Sequence, residues 1–396
     1  MNRKSSCRIL ALVVSFAFFA IPPASADRLS SPTWGFHLDL PEGFELAGGD
    51  GKSRFSFVQT QSGVSADFVA YAAGRYADPE ALAADAIGRL SATGDKSSFD
   101  YRGRAATVAR IEFRGPAGPT EGWLLAIELG PPGSLAGGRP LLLALAYGAA
   151  GTDRLDHIGL SVLDSLAPSA EDRLFPGPVS VFSFPAEGRE SVRLTIGDTA
   201  AEAPIDASDK AASKALVDRE FAVLATYSNS PLWKEAWARF YRAIWRDAYD
   251  RLTGIAFAVE RELGAGTDRP TDRVLAERAL AWVQDFRYER DLLGSDFVDL
   301  ISAATERRGD CDSRALLFAV ILQKANIDAI LMVSRDYGHA MAAVRVEGTG
   351  AKFKHGETDW IVAETTAKVP LGLIGKNVSD TGKWLGIDFP ALGRAD

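Results

Sequence analysis

The chain has 396 residues, 47% of them hydrophobic, which is enough apolar surface for the cores of two or three domains. Lys and Arg number 44 against 52 Asp and Glu, so the formal net charge is −8. No stripe of basic residues interrupts this acidity, and a nucleic-acid partner is disfavoured because such affinity comes largely from neutralising phosphates.

The first 26 residues have the features of an export signal. Three basic side chains lie within the first eight residues, an apolar run covers 9–21, and Ala24-Ser25-Ala26 fits the small-x-small pattern of signal peptidases. The apolar run is too short for a bilayer span, which needs about 20 residues. We therefore expect cleavage before Asp27 and a periplasmic or secreted protein, with no stable membrane insertion. Cleavage would bring the net charge to about −11 and remove Cys7.

The sequence of residues 27–170 predicts one α/β domain. Gly, Pro and Asp clusters separate its strand-like runs, and two helices are predicted, one over Pro79–Leu90 with Asp78 as N-cap and one over Thr152–Leu166. The predicted strands are Gly35–Leu40, Arg54–Gln59, Ala66–Tyr71, Ala106–Phe113, Trp123–Glu128 and Pro140–Tyr147.

The phrase "WGFHLDLPEGFEL", the strand meander after it and the closing "LSVLDSLAP" helix resemble PsbP-like domains. This resemblance implies an α/β sandwich that binds a protein partner and has no chemistry of its own.

Two Pro-rich or acidic small-residue stretches, "PSAEDRLFPGPVSVFSFP" and "DTAAEAPIDASDKAAS", predict a linker over 171–213.

The remaining residues, 214–396, are expected to form a helical segment followed by a second domain. Its first strong helix is "SPLWKEAWARFYRAIWRDAYDRL", with Ser230 as N-cap and Pro231 at the first helical position. Aromatic side chains recur in it at three- and four-residue steps. A buried aromatic face is favoured over a ligand-stacking stripe. A second amphipathic helix is expected over Asp272–Phe286.

Cys311 is the one cysteine expected to remain after export. It lies in "GDCDSRALLFAVIL", where Asp310 is a plausible N-cap of a helix over Cys311–Ala325. A helix start favours the thiolate, whereas Asp310 and Asp312 disfavour it. A reactive Cys311 therefore needs a cationic partner.

His339 and Glu364 follow Cys311 at intervals of 28 and 25 residues. His339 lies where a loop becomes the predicted strand Ala340–Val346, and Glu364 alternates with Trp360 and Val362 along "DWIVAETTA". A thiol nucleophile needs a general base, and the base needs a third group that fixes its tautomer. The three side chains can supply these roles.

The phrases "GDCDSRALLFAVILQKANIDA", "GHAMAAV" and "WIVAETT" resemble the three motifs of the transglutaminase-like superfamily, over about residues 270–370. The resemblance implies a papain-like α+β domain with Cys311 as nucleophile, His339 as base and Glu364 as third member. Glu364 departs from the commoner Asp of an Asp-Pro-Thr phrase. The expected fold class is thus α+β, with a PsbP-like α/β sandwich, a helical segment and a transglutaminase-like domain.

Several alternatives stay open at this point. Cys311 could be an inert core thiol, His339 a core histidine, and Asp359 rather than Glu364 the third member. The Cys311 N–H can serve as one oxyanion donor, and Tyr288 or Gln284 could supply another.

The resulting expectation is an exported cysteine enzyme that acts by acyl transfer, most simply hydrolysis of a peptide or amide. A protein crosslinker is possible within the same chemistry. The competing hypothesis is a non-catalytic binding or assembly module on this fold. We expect a protein or peptide substrate, no cofactor and no metal.

Overall fold

The computed structural model of the protein describes residues 28–131, 138–266, 270–290 and 295–390. The expected export signal lies outside these ranges. Helices and sheets are mixed throughout, so the fold is α+β, as predicted. None of the helices in the described ranges is both long and apolar enough to cross a bilayer.

The first part of the chain is a seven-stranded antiparallel sheet with helices on both faces. Its strands follow the order β3-β4-β5-β9-β8-β7-β6, beside a separate β1–β2 hairpin. The elements are β1 (Arg28–Ser30), β2 (His37–Asp39), β3 (Phe44–Gly49), β4 (Arg54–Gln59), β5 (Val64–Tyr71), α1 (Pro79–Leu90), β6 (Lys96–Asp100), β7 (Ala105–Gly115), β8 (Gly118–Glu128), β9 (Leu141–Ala149) and α2 (Leu155–Asp164).

Local sequence signals explain these elements well. Asp78 caps α1 by accepting a hydrogen bond from the Ala81 N–H at 2.7 Å, and the helix ends at Leu90 as predicted. Side chains of β5 alternate between fully and partly buried positions, because α2 covers one face of the sheet and α1 the other. The edge strands β3 and β6 were missed because their side chains are mostly exposed.

Residues 171–213, predicted to be a linker, instead form ordered structure. After a short 3-10 helix (Ala170–Leu174), α3 (Pro178–Ser183) leads into an antiparallel hairpin of β10 (Arg189–Ile196) and β11 (Thr199–Asp206). The segment differs from the predicted linker because polar residues alternate in β10 with Val192, Leu194 and Ile196, whose side chains are buried in the C-terminal core.

The helical segment consists of α4 to α8, and a five-stranded antiparallel sheet follows in the order β16-β17-β15-β14-β18. The helices of this half of the chain are α4 (Asp209–Leu224), α5 (Trp233–Arg251), α6 (Thr253–Gly264), α7 (Asp272–Gln284), α8 (Leu300–Glu306) and, before the sheet, α9 (Cys311–Lys324). The strands of the sheet are β14 (Ala329–Ser334), β15 (His339–Val344), β16 (Lys352–His355), β17 (Thr358–Ala363) and β18 (Leu385–Ile387). A separate parallel pair is formed by β12 (Arg287–Tyr288) and β13 (Arg308–Gly309). Short 3-10 turns cover Ala225–Tyr227, Lys376–Val378 and Thr381–Lys383.

Helix α5 lies between the two sheets. It starts at Trp233, three residues after the predicted cap, and Ser230 accepts from the Leu232 N–H instead. Its aromatic side chains are largely buried as predicted; for example, the Trp245 ring stacks on Phe389 with centroids 5.4 Å apart. The central helix α9 packs its apolar side chains under β14 and β15, which brings its first residue to the edge of β15.

Candidate active site

The candidate site is built on the first turn of α9. Asp310 caps the helix, because its Oδ1 accepts from the Ser313 N–H at 2.9 Å and from the Ser313 hydroxyl at 2.6 Å. Gly309 precedes it, where a Cβ would meet the Cβ of Ser313 at 3.0 Å. This close approach explains why residue 309 is a glycine. With Asp310 as the N-cap, Cys311 is the first residue of the helix.

The Cys311 thiol is mostly covered, with 8% of the residue exposed. The backbone N–H of Ala340, directly after His339, lies close enough to the sulfur to lower the pKa of the thiol. The thiol itself donates to Oδ1 of Asp312 at 3.3 Å. Cys311 therefore lies beside the start of β15. Among the described residues, the thiol donates its hydrogen bond to Asp312 and not to the imidazole of His339.

His339 is the first residue of β15, opposite Ser334 of β14. Its ring lies against Trp384, with centroids 6.1 Å apart and the planes at 65°. Its Nε2 is 2.8 Å from Oε2 of Glu364. With Nε2–H donated to the carboxylate, Nδ1 is the ring nitrogen that can take a proton from a thiol.

Glu364 follows directly after β17, and every oxygen of the residue is engaged. Oε1 accepts from the Thr366 N–H at 2.8 Å and from its hydroxyl at 2.6 Å, while Oε2 faces His339. The backbone carbonyl accepts from Nε2 of Gln284 at 2.8 Å. Because these contacts hold both ends of the residue, the longer Glu side chain reaches the imidazole.

The environment of Glu364 favours its charged form. Burial raises the pKa of this carboxyl, but the hydrogen bond and charge of His339 and the two bonds from Thr366 outweigh burial and lower the pKa to about 2. Glu364 is therefore ionised at neutral pH and can stabilise an imidazolium at His339.

Cys311 shows the opposite behaviour, in the direction expected from the two neighbouring aspartates. Burial raises the pKa of the thiol well above its usual range, the charges of Asp312 and Asp310 raise it further, and the bond from Ala340 lowers it only in part. The two carboxylates and the loss of water outweigh the helix end. In this resting arrangement Cys311 is a neutral thiol.

The alternative third member, Asp359, lies elsewhere. It is exposed in the β16–β17 hairpin, across from Lys354, and its carboxylate is 4.0 Å from the Lys352 ammonium. Within the described ranges, no group of three His, Cys, Asp or Glu side chains is arranged to hold a metal ion.

Of the two suggested oxyanion donors, Gln284 and Tyr288, Gln284 is engaged in other hydrogen bonds. Gln284 donates both of its amide hydrogens to the carbonyls of Glu364 and Val369, so it supports the Glu364 segment instead. Tyr288 pairs with Gly309 in the short β12–β13 ladder and is 53% exposed. Burial and, after it, the charge of Cys311 raise the pKa of its hydroxyl.

Two contributors were missed at the sequence level. Thr366 belongs to the quoted "WIVAETT" segment but was given no role, and a hydroxyl two residues after a carboxylate is a usable signal for such a turn. Tyr241 donates to Oδ2 of Asp312 at 2.5 Å from helix α5. Nothing in the sequence links residues 71 positions apart.

Comparison with known proteins gives little beyond these observations. No protein-family model and no curated protein sequence matches this chain.

Solved structures give weak similarities. A protein from Bacteroides thetaiotaomicron is 12% identical with a TM-score of 0.22, over 57% of this chain and 78% of its own. A candidate cysteine protease from Cytophaga hutchinsonii is 11% identical with a TM-score of 0.23, over 75% of this chain and 76% of its own. A candidate protease from Parabacteroides distasonis is 9% identical with a TM-score of 0.20, over 80% and 68%.

Proposed function

We propose that this protein is a cysteine hydrolase of peptides or amides that works by acyl transfer, with Cys311 as nucleophile, His339 as general base and Glu364 as its orienting partner. One observation carries the proposal. The imidazole of His339 is held by an ionised carboxylate at 2.8 Å, while the sulfur lies against the next residue of the same strand. A merely structural histidine does not need this arrangement.

In the proposed reaction, the Cys311 proton passes to Nδ1 of His339 as the sulfur attacks the carbonyl carbon. Tyr288 and the Cys311 N–H donate to the developing oxyanion. The imidazolium then protonates the leaving amine as the C–N bond breaks, which leaves a thioester on Cys311. Water, deprotonated by His339, attacks the thioester and releases the acid and the thiol. An amine acceptor in place of water would give crosslinking.

The proposed setting follows from the first 26 residues: we propose export, with hydrolysis outside the cytoplasm. The acidity of the chain favours neutral or basic substrate segments. The PsbP-like resemblance of the first domain is retained as part of this proposal, with a partner-binding role.

A second candidate function is supported by the state of the thiol. Cys311 is buried, neutral and bonded to Asp312, which also suits an inert cysteine in a non-catalytic assembly module.

The experiment that separates the two functions compares wild type with Cys311→Ala and Cys311→Ser. Each protein is added to an extract of exported proteins from the native host, and new N-termini are counted by mass spectrometry. The hydrolase proposal expects new termini with wild type alone. Equal counts for all three proteins would reject hydrolysis. Incorporation of a labelled primary amine by wild type alone would indicate crosslinking.

A further inference from the structure

Asp312 is the side chain that connects the thiol to the rest of the molecule. Its Oδ1 accepts from the Cys311 thiol at 3.3 Å, and its Oδ2 accepts from the Tyr241 hydroxyl at 2.5 Å. Burial raises the pKa of this carboxyl, and the bonds from Tyr241 and Cys311 and the charge of His339 oppose that rise. Asp312 therefore depends on two neutral donors for its hydrogen bonds.

The proposed reaction does not use this carboxylate. A nucleophilic thiol must give its proton to His339, whereas the hydrogen bond to Asp312 holds the proton on the sulfur and adds a repelling charge. Helix capping does not require Asp312 either, because Asp310 caps α9. A buried acid that opposes the chemistry beside it needs another explanation.

We propose that Asp312 is a positioning residue that keeps Cys311 in a protected resting state, and that Tyr241 holds Asp312 in that role from helix α5. This inference rests on the proposed function and deepens it: attack requires the thiol to leave Asp312 and engage Nδ1 of His339. The proton stays on the sulfur in the resting state and moves to His339 only during attack.

Tyr241 also links the resting state to the first domain. Tyr241 lies on α5 between two arginines that bind Asp39. Arg239 donates from Nε to the Asp39 carbonyl at 2.9 Å, and Arg242 donates to the two carboxylate oxygens of Asp39 at 2.8 and 2.9 Å. A shift of α5 against the first domain would move the Tyr241 hydroxyl and release Asp312.

Other charges act on the thiol and must be separated from Asp312. The titratable groups that interact with the thiol besides Asp312 are Asp310 and Arg314 on α9, Tyr288 and Arg290 after α7, and Tyr241 on α5. His339 on β15 acts on Asp312 through its charge. Asp310 provides the matched control, since its charge also raises the thiol pKa but its carboxylate does not contact the sulfur.

The test is the rate of iodoacetamide alkylation of Cys311 against pH, followed by intact mass, which needs no turnover. Asp312→Asn should raise the rate at pH 7 about tenfold, corresponding to a midpoint lower by about one pH unit. Asp310→Asn, which keeps the cap, should give a smaller increase. Asp312→Glu, which keeps the charge and an acceptor, should stay close to wild type.

Tyr241→Phe tests the link to α5. Loss of the hydroxyl raises the Asp312 pKa and frees its side chain, so alkylation should accelerate in the same direction as for Asp312→Asn but less. Tyr249→Phe on the same helix is the control, because Tyr249 packs on Trp245 away from the site, and it should leave the profile unchanged.

Equal shifts for Asp312→Asn and Asp310→Asn would overturn the proposal, since they would indicate a general charge effect. No acceleration by Asp312→Asn or Tyr241→Phe would overturn it as well. If Asp312→Asn does not fold, Tyr241→Phe carries the test, with Tyr249→Phe as its control. These outcomes are independent of whether new N-termini appear, so failure of the hydrolase proposal is recognised separately.

Discussion

At the scale of single residues, the pair His339–Glu364 shows how a Glu carboxylate can reach the imidazole at a position where the resemblance favours Asp. The extra methylene of Glu364 is accommodated because Thr366 supplies two donors to Oε1 and Gln284 holds the backbone carbonyl. Oε2 is thereby directed at His339. Orientation of the proposed base thus depends on three neighbouring donors, two from Thr366 and one from Gln284, rather than on the identity of the acid alone.

The lowered pKa of Glu364 predicts a particular acid sensitivity. Its pKa of about 2 in the folded protein lies below the ordinary 4.5, so the ionised carboxylate stabilises the fold above about pH 4.5. That stabilisation is lost as the pH falls from 4.5 to 2. Urea unfolding from pH 2 to 6 should therefore show a steeper loss for wild type than for Glu364→Gln. Parallel curves would mean that His339 and Thr366 do not stabilise the carboxylate.

The three proposed catalytic residues could be selected from the sequence, but the state of the thiol could not. Residue types and motif order point to Cys311, His339 and Glu364, and the N-cap Asp310 follows from local rules. Burial of the sulfur and its bond to Asp312 depend on how α9 meets β15 and α5. Local sequence contains no information on that packing.

At the scale of elements, the β10–β11 hairpin shows why composition misled. Small, acidic and Pro residues are typical of linkers, yet every second side chain towards the end of β10 is apolar and buried. Alternation over a few residues was the stronger signal. Predicted helices were more accurate, because caps and a 3.6-residue period act locally, as in α1 and α9.

Leu194 and Arg193 test whether the hairpin belongs to the core. Leu194 is fully buried and Arg193 is exposed on the other face of the same strand. Leu194→Ala should lower the free energy of unfolding by about 2–5 kcal/mol, whereas Arg193→Ala should change it by less than about 0.5 kcal/mol. Chemical denaturation measures both. Similar small effects would restore the interpretation as a flexible linker.

At the scale of the whole molecule, helix α5 joins the two halves of the chain. Its aromatic side chains belong to the C-terminal core, while its arginines reach the first domain. Arg246 donates to the carbonyls of Asp164, Ser165 and Leu166 at 2.9–3.0 Å. The aromatic face could be predicted from spacing, but the partners of the arginines in the first half of the chain could not, because they lie 71 residues away or more.

Glu42, which is buried near Arg239 of α5, should make the stability of this junction depend on pH. Burial is the main reason that its pKa rises to about 8, with Arg239 opposing, and its Oε1 has no hydrogen-bond partner in the described structure. A raised pKa means that stability is greatest below the ordinary 4.5 and is lost as the pH rises towards 8. Glu42→Gln should remove this decline, so its stability relative to wild type should increase between pH 5 and 8. Equal pH profiles in urea unfolding would place Glu42 in contact with water.

The central claim is that Cys311, His339 and Glu364 act as one unit, and a double-mutant cycle on acylation of Cys311 tests it most directly. The burst of p-nitrophenolate from p-nitrophenyl acetate is measured for wild type, Glu364→Gln, His339→Ala and the double variant. We predict a loss of about 10²-fold or more for His339→Ala, a smaller loss for Glu364→Gln, and no further loss in the double variant, because the carboxylate acts only through the imidazole. Four equal burst rates, or losses that multiply in the double variant, would contradict the account.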